Sequence, residues 1–597
     1  MTFYEVVNST VRIETNMMLF ANRIRAALTI SAAFFIFLWP GMGSAKPVGN
    51  DLNEQMQKRL ETAVENPFIL CEGASAYAPA VLQEIYTARS FRPAWIDSQG
   101  PLPPVETLLI AIRQAQQEGL KPEEYHLAKI TALVSAWRTS RENNLPFSLA
   151  RQIDLELLLT DALVAYGLHL LNGRVDPERL YPGWFSYQKD VSLLDVIENV
   201  MNTGDVEAAF RRLAPQEPLY RGLKQALELY TNIAGSGGWP EIPQSSPPKT
   251  KADHRPYLLL LKQRLLLTGD LPQAESSVPN DDAGMKKAIS GFQKRHGIKA
   301  DGKIGPATLK ALNIPVEKRI RQIILNMERL RWLPEDVGNR YILVHISDFE
   351  LMVFEDGHIV LGMPIVVGKQ NQRTSVFSGK MTYLDLNPYW NIPKAIAEKE
   401  ILPEVQKDPA YLTKKKIRVI EYRRPQEREV DPATIDWSKI GPDKLNYSFR
   451  QDYGPGNALG RIKFMFPNKF DIYLHDTPER HLFKRTRRTF SHGCIRIARP
   501  IDLAEYLLKN ENGWDHKKIL AEIGKGKRQI LKLSRPIDVH ILYLTAWTDS
   551  QGDVQFRNDI YEGDEALLHA LNEKPRTLYP DEIRKQKEIP GSYGERF

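Results

Sequence analysis

Reactive groups concentrate in one hexapeptide, Ser491-His492-Gly493-Cys494-Ile495-Arg496. Cys494 is one of two cysteines in 597 residues, the other being Cys71. A thiol two positions after a histidine supports three readings. It could attack a carbonyl as a thiolate once an imidazole or another cation lowers its pKa. It could ligate zinc, because His475, His481, His492 and Cys494 offer four donors, although the short paired spacing of structural zinc sites is absent. It could also be a small apolar filler of a core. Spacing alone leaves all three open.

A nucleophilic thiol needs a base and a place for negative charge. FDIYLHD, residues 470–476, alternates as a strand, with Phe470, Ile472 and Leu474 on one face and Asp471, Tyr473 and His475 on the other. Such a strand buries its apolar face and can present His475 to a cleft. The Asp476 carboxylate is a tempting third member of a triad, but as the next residue along the strand it points to the opposite face. Around Gly493, main-chain N–H groups could stabilise a tetrahedral oxyanion, and the missing side chain admits a substrate closely. Lys484, Arg485, Arg487 and Arg488 just upstream could receive carboxylates or form a solvated basic loop.

The elements that must position these groups belong to a chain too long for one core, about three or four domains. Hydrophobic content of 42% and charged content of 26% are ordinary for a globular protein. A net charge of +7 suits solubility or an anionic surface and does not by itself indicate nucleic acid, which is not an expected partner. No P-loop or dinucleotide fingerprint occurs, so no nucleotide is expected. Near the start, Arg23 and Arg25 precede an apolar run from Ala26 to Trp39, and Gly43-Ser44-Ala45 follows. The run is short for a membrane span, which needs about 20 residues, and fits a secretory signal cut after Ala45. The membrane is expected only through an uncleaved signal. In an oxidising compartment, Cys71 and Cys494 either pair or stay free; Cys71, in FILCEG, reads as a buried filler.

From about 55 to 235 the pattern is helical, as in ARQIDLELLLTDALVAYGLHLLNG with Gly173 as its C-cap and His169 as a packed or surface histidine. A Gly/Pro/Ser-rich linker follows. Residues 258–314 then give three short helices, including GFQKRHG, an Asp301-Gly302 turn and a helix opened by Pro306. After the helix VEKRIRQIILNMERLRWLP, the period changes to β near Arg340, with an Asp356-Gly357 hairpin signal. From about 395 to 449 the strand pattern is lost to charged, helical or irregular sequence, read as an insertion over one end of the sheet.

Two stretches resemble known families. AISGFQKRHGIKADGKIGPATLKALN resembles the peptidoglycan-binding-domain-1 module, with FQ, DG, G-x-x-T and a closing Leu in place. HDTPERHLFKRTRRTFSHGCIR resembles the signature of the YkuD-type L,D-transpeptidases, a histidine followed after a spacer by [S/T]-H-G-C; YILVHISDFELMVFEDGHIVLGMPIVVGK and NPYWNIP agree with the same family. With LTDALVAYGLHLLNGRVDP and FRPAW upstream, the whole is similar to the large periplasmic type. The expected fold is multidomain α+β. Its parts are a signal peptide (1–45), a helical scaffold domain (46–250), a peptidoglycan-binding-like domain (251–315), a connecting helix (316–340), a mainly β catalytic domain (341–540) with a capping insertion (395–449), and a C-terminal extension (541–597).

The resemblance implies Cys494 as nucleophile, His475 as base and the Asp476 carbonyl as the group that orients the imidazole. It also implies an oxyanion site framed by His492, Gly493 and Cys494 and supported by Ser491 and Arg496, where many relatives carry Asn at the last position. Tyr473, Trp390, Arg487 and Arg488 are candidate substrate contacts. Implied is a periplasmic cysteine acyltransferase that needs no metal or cofactor and forms 3→3 crosslinks between peptidoglycan stem peptides, with glycan and other wall synthases as candidate partners. The alternatives are a YkuD-type L,D-carboxypeptidase or amidase and a non-catalytic wall-binding scaffold.

Overall fold

The computed structural model describes residues 48–65, 69–181, 191–243, 251–272, 282–334, 337–423, 426–511 and 513–580. The expected signal peptide, residues 1–45, lies outside them. The chain divides into two units, Met1–Asp51 and Leu52–Phe597, and the scaffold, wall-binding and β regions all belong to the second. The architecture is α+β: helices come first and a β-rich region second. No helix among the described residues is long and apolar enough to cross a membrane.

The helical region is built around the helix Leu149–Asn172, buried from Ile153 through Leu171. A helix buried on every side must be apolar all round, and its few polar groups must be paired. Glu156 accepts from the main-chain N–H groups of Ala94 (2.5 Å) and Trp95 (3.1 Å), which holds the FRPAW segment against the helix. Asp161 accepts from Tyr77 and Ala78 and pairs with His126 at 2.8 Å. His169 is packed, 3.1 Å from the Tyr125 hydroxyl. Ser148 caps the start and Gly173, at φ +84°, ends it. Both cysteines are free, and burial pushes the Cys71 thiol up to about 12, as suits a core filler.

The next module packs the helices Lys251–Leu267, Asp282–Arg295 and Pro306–Leu312 around Leu261, Leu265, Ile289, Phe292 and Leu312. Its motif residues are knitted together: the Gln293 amide donates to Asp301 Oδ1, Lys303 O and Thr308 Oγ1, which fixes the Asp301-Gly302 turn. The following helix, Val316–Arg331, does more than connect. Its Glu328 accepts from the Arg174 and Val175 N–H groups, and its Arg331 donates to Tyr220, so buried polar contacts tie it to the scaffold region.

Among the described residues the β region holds nine strands in one sheet: β1 (Arg340–His345), β2 (Glu350–Glu355), β3 (His358–Gly368), β4 (Phe377–Leu386), β5 (Ile462–Met465), β6 (Leu474–His475), β7 (Thr489–Ser491), β8 (Ile495–Ile497) and β9 (Gln529–Leu542). Their order is β7-β3-β8-β6-β5-β4-β9-β1-β2, and β2 also pairs with β3, so the run closes on itself. Asp356 and Gly357 have φ of 51° and 78°, the left-handed pair of a tight hairpin. Beyond β9, a hairpin (Ala546–Thr548, Val554–Phe556) and the helix Gly563–Asn572 run back along the other modules. There Arg295 donates to Val554 O and Arg557 pairs with Asp348.

The insertion differs from expectation. Its strands Gln426–Val430, Ile417–Arg423 and Tyr447–Gln451 form a four-stranded antiparallel sheet with Trp390–Ile392, which lies just before residue 395, and it has its own core of Ile396, Leu402, Val405, Val419, Trp437 and Phe449. The alternation was hidden because the strands are short and their outer positions carry charge. Arg418, between buried Ile417 and Val419, pairs with Asp452 and Glu429.

Candidate active site

His475 sits on β6, between β5 and β8. Lys463 is its partner on one side and Arg496 its parallel partner on the other. Its Nδ1 lies 2.5 Å from Asp476 O. A carbonyl only accepts, so Nδ1 carries the proton and Nε2 keeps the lone pair. Burial, reinforced by the Arg496 charge, lowers the imidazole to about 3 against the opposing pull of the Asp476 and Leu459 carbonyls. The Asp476 carboxylate is turned elsewhere, accepting from Arg461 N–H (3.0 Å) and Arg480 (2.9 Å).

The segment before His475 is not the strand its alternation suggests. Only Leu474 and His475 are strand, and Asp471 has φ +53°. Asn468 organises the bend, donating to Phe466 O and Ile472 O and accepting from Phe470 and Ile472 N–H. The bend aims Asp471 O at the site, 3.6 Å from Cys494 Sγ. Ile472 and Leu474 remain buried, so the apolar half of the pattern is retained.

Cys494 is half-buried. Burial pushes its thiol above its ordinary 9, while the Tyr473 N–H, the Tyr473 hydroxyl and the Lys463 ammonium pull it down. Tyr473 therefore faces the thiol. Lys463 Nζ lies 3.7 Å from the Tyr473 ring centroid, and burial lowers its own pKa. Both the Cys494 thiol and the His475 imidazole rest neutral, so a proton must leave sulfur as sulfur attacks.

The turn around the thiol is tied internally. Ser491 Oγ donates to Cys494 O (2.5 Å) and accepts from Gly493 N–H (3.2 Å). This N–H, expected to help frame an oxyanion site, is thus engaged by Ser491. Gly493 has φ +118°, which a side chain would strain. His492, the neighbour of the thiol, points to the insertion, with Nε2 2.5 Å from Glu400 Oε1. Arg496 pairs with Glu479.

The candidate substrate contacts are placed differently. Arg488 donates to Ile365 O (3.1 Å) and Phe349 O (2.9 Å) and pairs with Glu350, so it braces the sheet. Trp390 opens the strand just before the insertion, opposite Gln451, and packs on the insertion core. Arg487 bonds Thr489 Oγ1, and with Lys484, Arg485, Leu482, Thr486 and Phe490 lines an open groove of about 670 Å³. Lys463 and Glu400 were not singled out from sequence. Lys463 alternates with buried Ile462 and Phe464, which marks its face but not its neighbour; nothing local marks Glu400. Among the described residues no three His, Cys, Asp or Glu side chains group to hold a metal.

Comparison with known proteins adds the family. Three family models match: a scaffold domain over residues 80–227, a "Putative peptidoglycan binding domain" over 256–312 and the L,D-transpeptidase catalytic domain over 339–521. A Haemophilus influenzae protein named "Putative L,D-transpeptidase" is 34% identical over 257 residues, 42% of this chain and 51% of that protein. The chain thus matches about half the length of that relative. Among solved structures, an L,D-transpeptidase from Mycobacterium smegmatis shares 11% identity over 34% of this chain and 58% of that one, with a TM-score of 0.16. One from Stackebrandtia nassauensis shares 16% over 48% and 90%, with a TM-score of 0.18. The catalytic-domain match encloses both His475 and Cys494, and this chain carries the catalytic domain of the YkuD-type L,D-transpeptidase family behind a scaffold and a peptidoglycan-binding domain.

Proposed function

We propose that the protein is a periplasmic L,D-transpeptidase that joins peptidoglycan stem peptides through a thioester on Cys494. The observation that carries the reading is the placement of His475. It stands on the strand hydrogen-bonded beside the one that follows Cys494, its Nδ1 is bound to Asp476 O, and its Nε2 is left as base.

Cys494 Sγ attacks the carbonyl of the third stem residue and His475 Nε2 takes the thiol proton. The resulting oxyanion is stabilised by main-chain N–H of the 492–494 turn. Collapse breaks the C–N bond, and His475 returns the proton to the departing D-Ala amine. The side-chain amine of a second stem then attacks the thioester carbonyl, His475 accepts its proton, and the thiolate leaves and is reprotonated. The product is a 3→3 crosslink. No redox partner is required.

An amine must win over water. The insertion supports this, since Glu400 on its π-helical turn (Ala397–Ile401) bonds His492 next to the nucleophile. We assign it as a lid that excludes water and positions the acceptor. The groove with Lys484, Arg485 and Arg487 is assigned to stem carboxylates.

The test incubates residues 46–597 with disaccharide-tetrapeptide and weighs the products. Crosslinked dimer that disappears in Cys494→Ala supports the transferase. Tripeptide monomer alone would replace it with the hydrolase, and no product with a non-catalytic wall-binding protein.

A further inference from the structure

The main chain of Cys494 is held from a direction that the thiol chemistry does not explain. Thr374, buried in the loop after β3, donates from Oγ1 to Gly493 O at 2.8 Å and accepts from Gly368 N–H at 3.0 Å. Tyr561, also buried, closes the circuit: its hydroxyl accepts from Thr374 N–H at 3.3 Å and donates to Gly368 O at 2.7 Å. Tyr561 lies outside residues 339–521, in the C-terminal segment. It is itself fixed. Its ring stacks on Tyr543 at 5.5 Å, and its N–H donates to the Tyr543 hydroxyl, which donates to Asp559.

The geometry has one consequence at the nucleophile. A trans peptide is planar, so Gly493 C=O and Cys494 N–H point in opposite directions. Pinning the oxygen to Thr374 turns the Cys494 N–H the other way, and among the described residues nothing accepts from it. With Gly493 N–H engaged by Ser491, the Cys494 N–H is a free donor of this turn. Gly493, with no Cβ and φ +118°, sits where this peptide could rotate if the bond to Thr374 were lost. Rotation would present a carbonyl where a donor is needed.

We infer that Thr374 and Tyr561 are positioning residues that aim the Cys494 N–H at the oxyanion, so that the C-terminal segment braces the catalytic turn. The inference rests on the proposed thiol acylation and adds the residues that orient its main-chain donor.

The experiment uses the full chain with Thr374→Val, which keeps the shape but not the hydroxyl, Thr374→Ser, which restores it, and Tyr561→Phe. Each is acylated with a p-nitrophenyl ester of an N-acyl amino acid and with disaccharide-tetrapeptide, and is separately alkylated with iodoacetamide, whose attack at a saturated carbon forms no oxyanion. Loss of one oxyanion donor lowers kcat about 10²- to 10³-fold; misdirecting it in Thr374→Val should lower acylation about 10- to 100-fold on that scale, with KM and alkylation nearly unchanged. Thr374→Ser should recover most of the rate, and Tyr561→Phe should fall between. Should Thr374→Val not fold, Tyr561→Phe carries the test, with slowed acylation and unchanged alkylation expected. The inference is overturned if Thr374→Val or Tyr561→Phe acylates at the wild-type rate, if Ser does not rescue, or if alkylation falls in parallel with acylation. Wild type that takes the ester but not the tetrapeptide removes the substrate reading alone; wild type that takes neither removes both.

Discussion

Arg487 and Arg488 are neighbours of the same charge, and the structure gives them opposite work. Arg488 reaches inward, with Nε to Ile365 O at 3.1 Å, Nη2 to Phe349 O at 2.9 Å and to Glu350 at 3.3 Å, and Nη1 to Phe483 O and Arg485 O at 3.4 and 3.3 Å. Bonds from a charged donor contribute about 1.5–3 kcal/mol each when short, and the two shortest dominate here. Phe349 O keeps a second donor, Ile365 N–H at 2.8 Å, so it is not orphaned when the guanidinium goes. Arg488→Ala should therefore destabilise by about 3–4 kcal/mol, the low end of that sum. At about 2–4 °C per kcal/mol, the melting temperature of the catalytic region falls by roughly 5–15 °C. Lysine should not rescue it, because an ammonium cannot span that fork of acceptors. Arg487→Ala removes one exposed bond and should leave the melt within about 1–2 °C while raising KM for the tetrapeptide. The assay is a thermal melt beside steady-state kinetics on both variants. If Arg488→Ala melts like wild type and raises KM as Arg487→Ala does, the division between brace and contact is wrong.

Other expectations come from the site itself. With the Cys494 thiol above its ordinary 9, iodoacetamide alkylation should rise about tenfold per pH unit from pH 6 to 8; a plateau near pH 6 would indicate a preformed thiolate–imidazolium pair instead. Lys463→Met removes a charge that lowers the thiol pKa and should slow alkylation at pH 7 several-fold, while an unchanged rate would dismiss Lys463. His475, held to about 3 when folded and near 6.5 when unfolded, binds its proton preferentially in the unfolded chain. Its contribution is complete above pH 6.5 and is lost as pH falls toward 3, so between pH 6 and 4 wild type should lose about 2 kcal/mol more than His475→Gln in denaturant titrations. The same variant should lower transfer about 10²- to 10⁴-fold at pH 7. Glu400→Gln should shift products from crosslinked dimer toward hydrolysed tripeptide, and an unaltered ratio would count against the lid.

Local chemistry made part of this readable in the sequence. Helical period, the Asp356-Gly357 turn and the apolar half of 470–476 are set by neighbours along the chain, and each appears in the fold. Residues set by register were not readable. Lys463 meets His475 only because β5 pairs with β6, and Glu400 reaches His492 only because the insertion folds over the turn. Asp471 defeated the alternation rule because Asn468 side-chain bonds stabilise a bend that the polar/apolar pattern does not encode. Arg488 looked like its neighbours because burial of a guanidinium depends on carbonyls more than a hundred residues upstream, at Ile365 and Phe349.

The central claim is a covalent acyl-enzyme on Cys494. Rapid acid quench of the enzyme with disaccharide-tetrapeptide in the first turnover, followed by intact mass and peptide mapping, tests it directly. The prediction is an added mass equal to the substrate less D-Ala, located on the peptide carrying Cys494 and missing from Cys494→Ala. Turnover with no adduct, or an adduct on another residue such as Ser491, would contradict it.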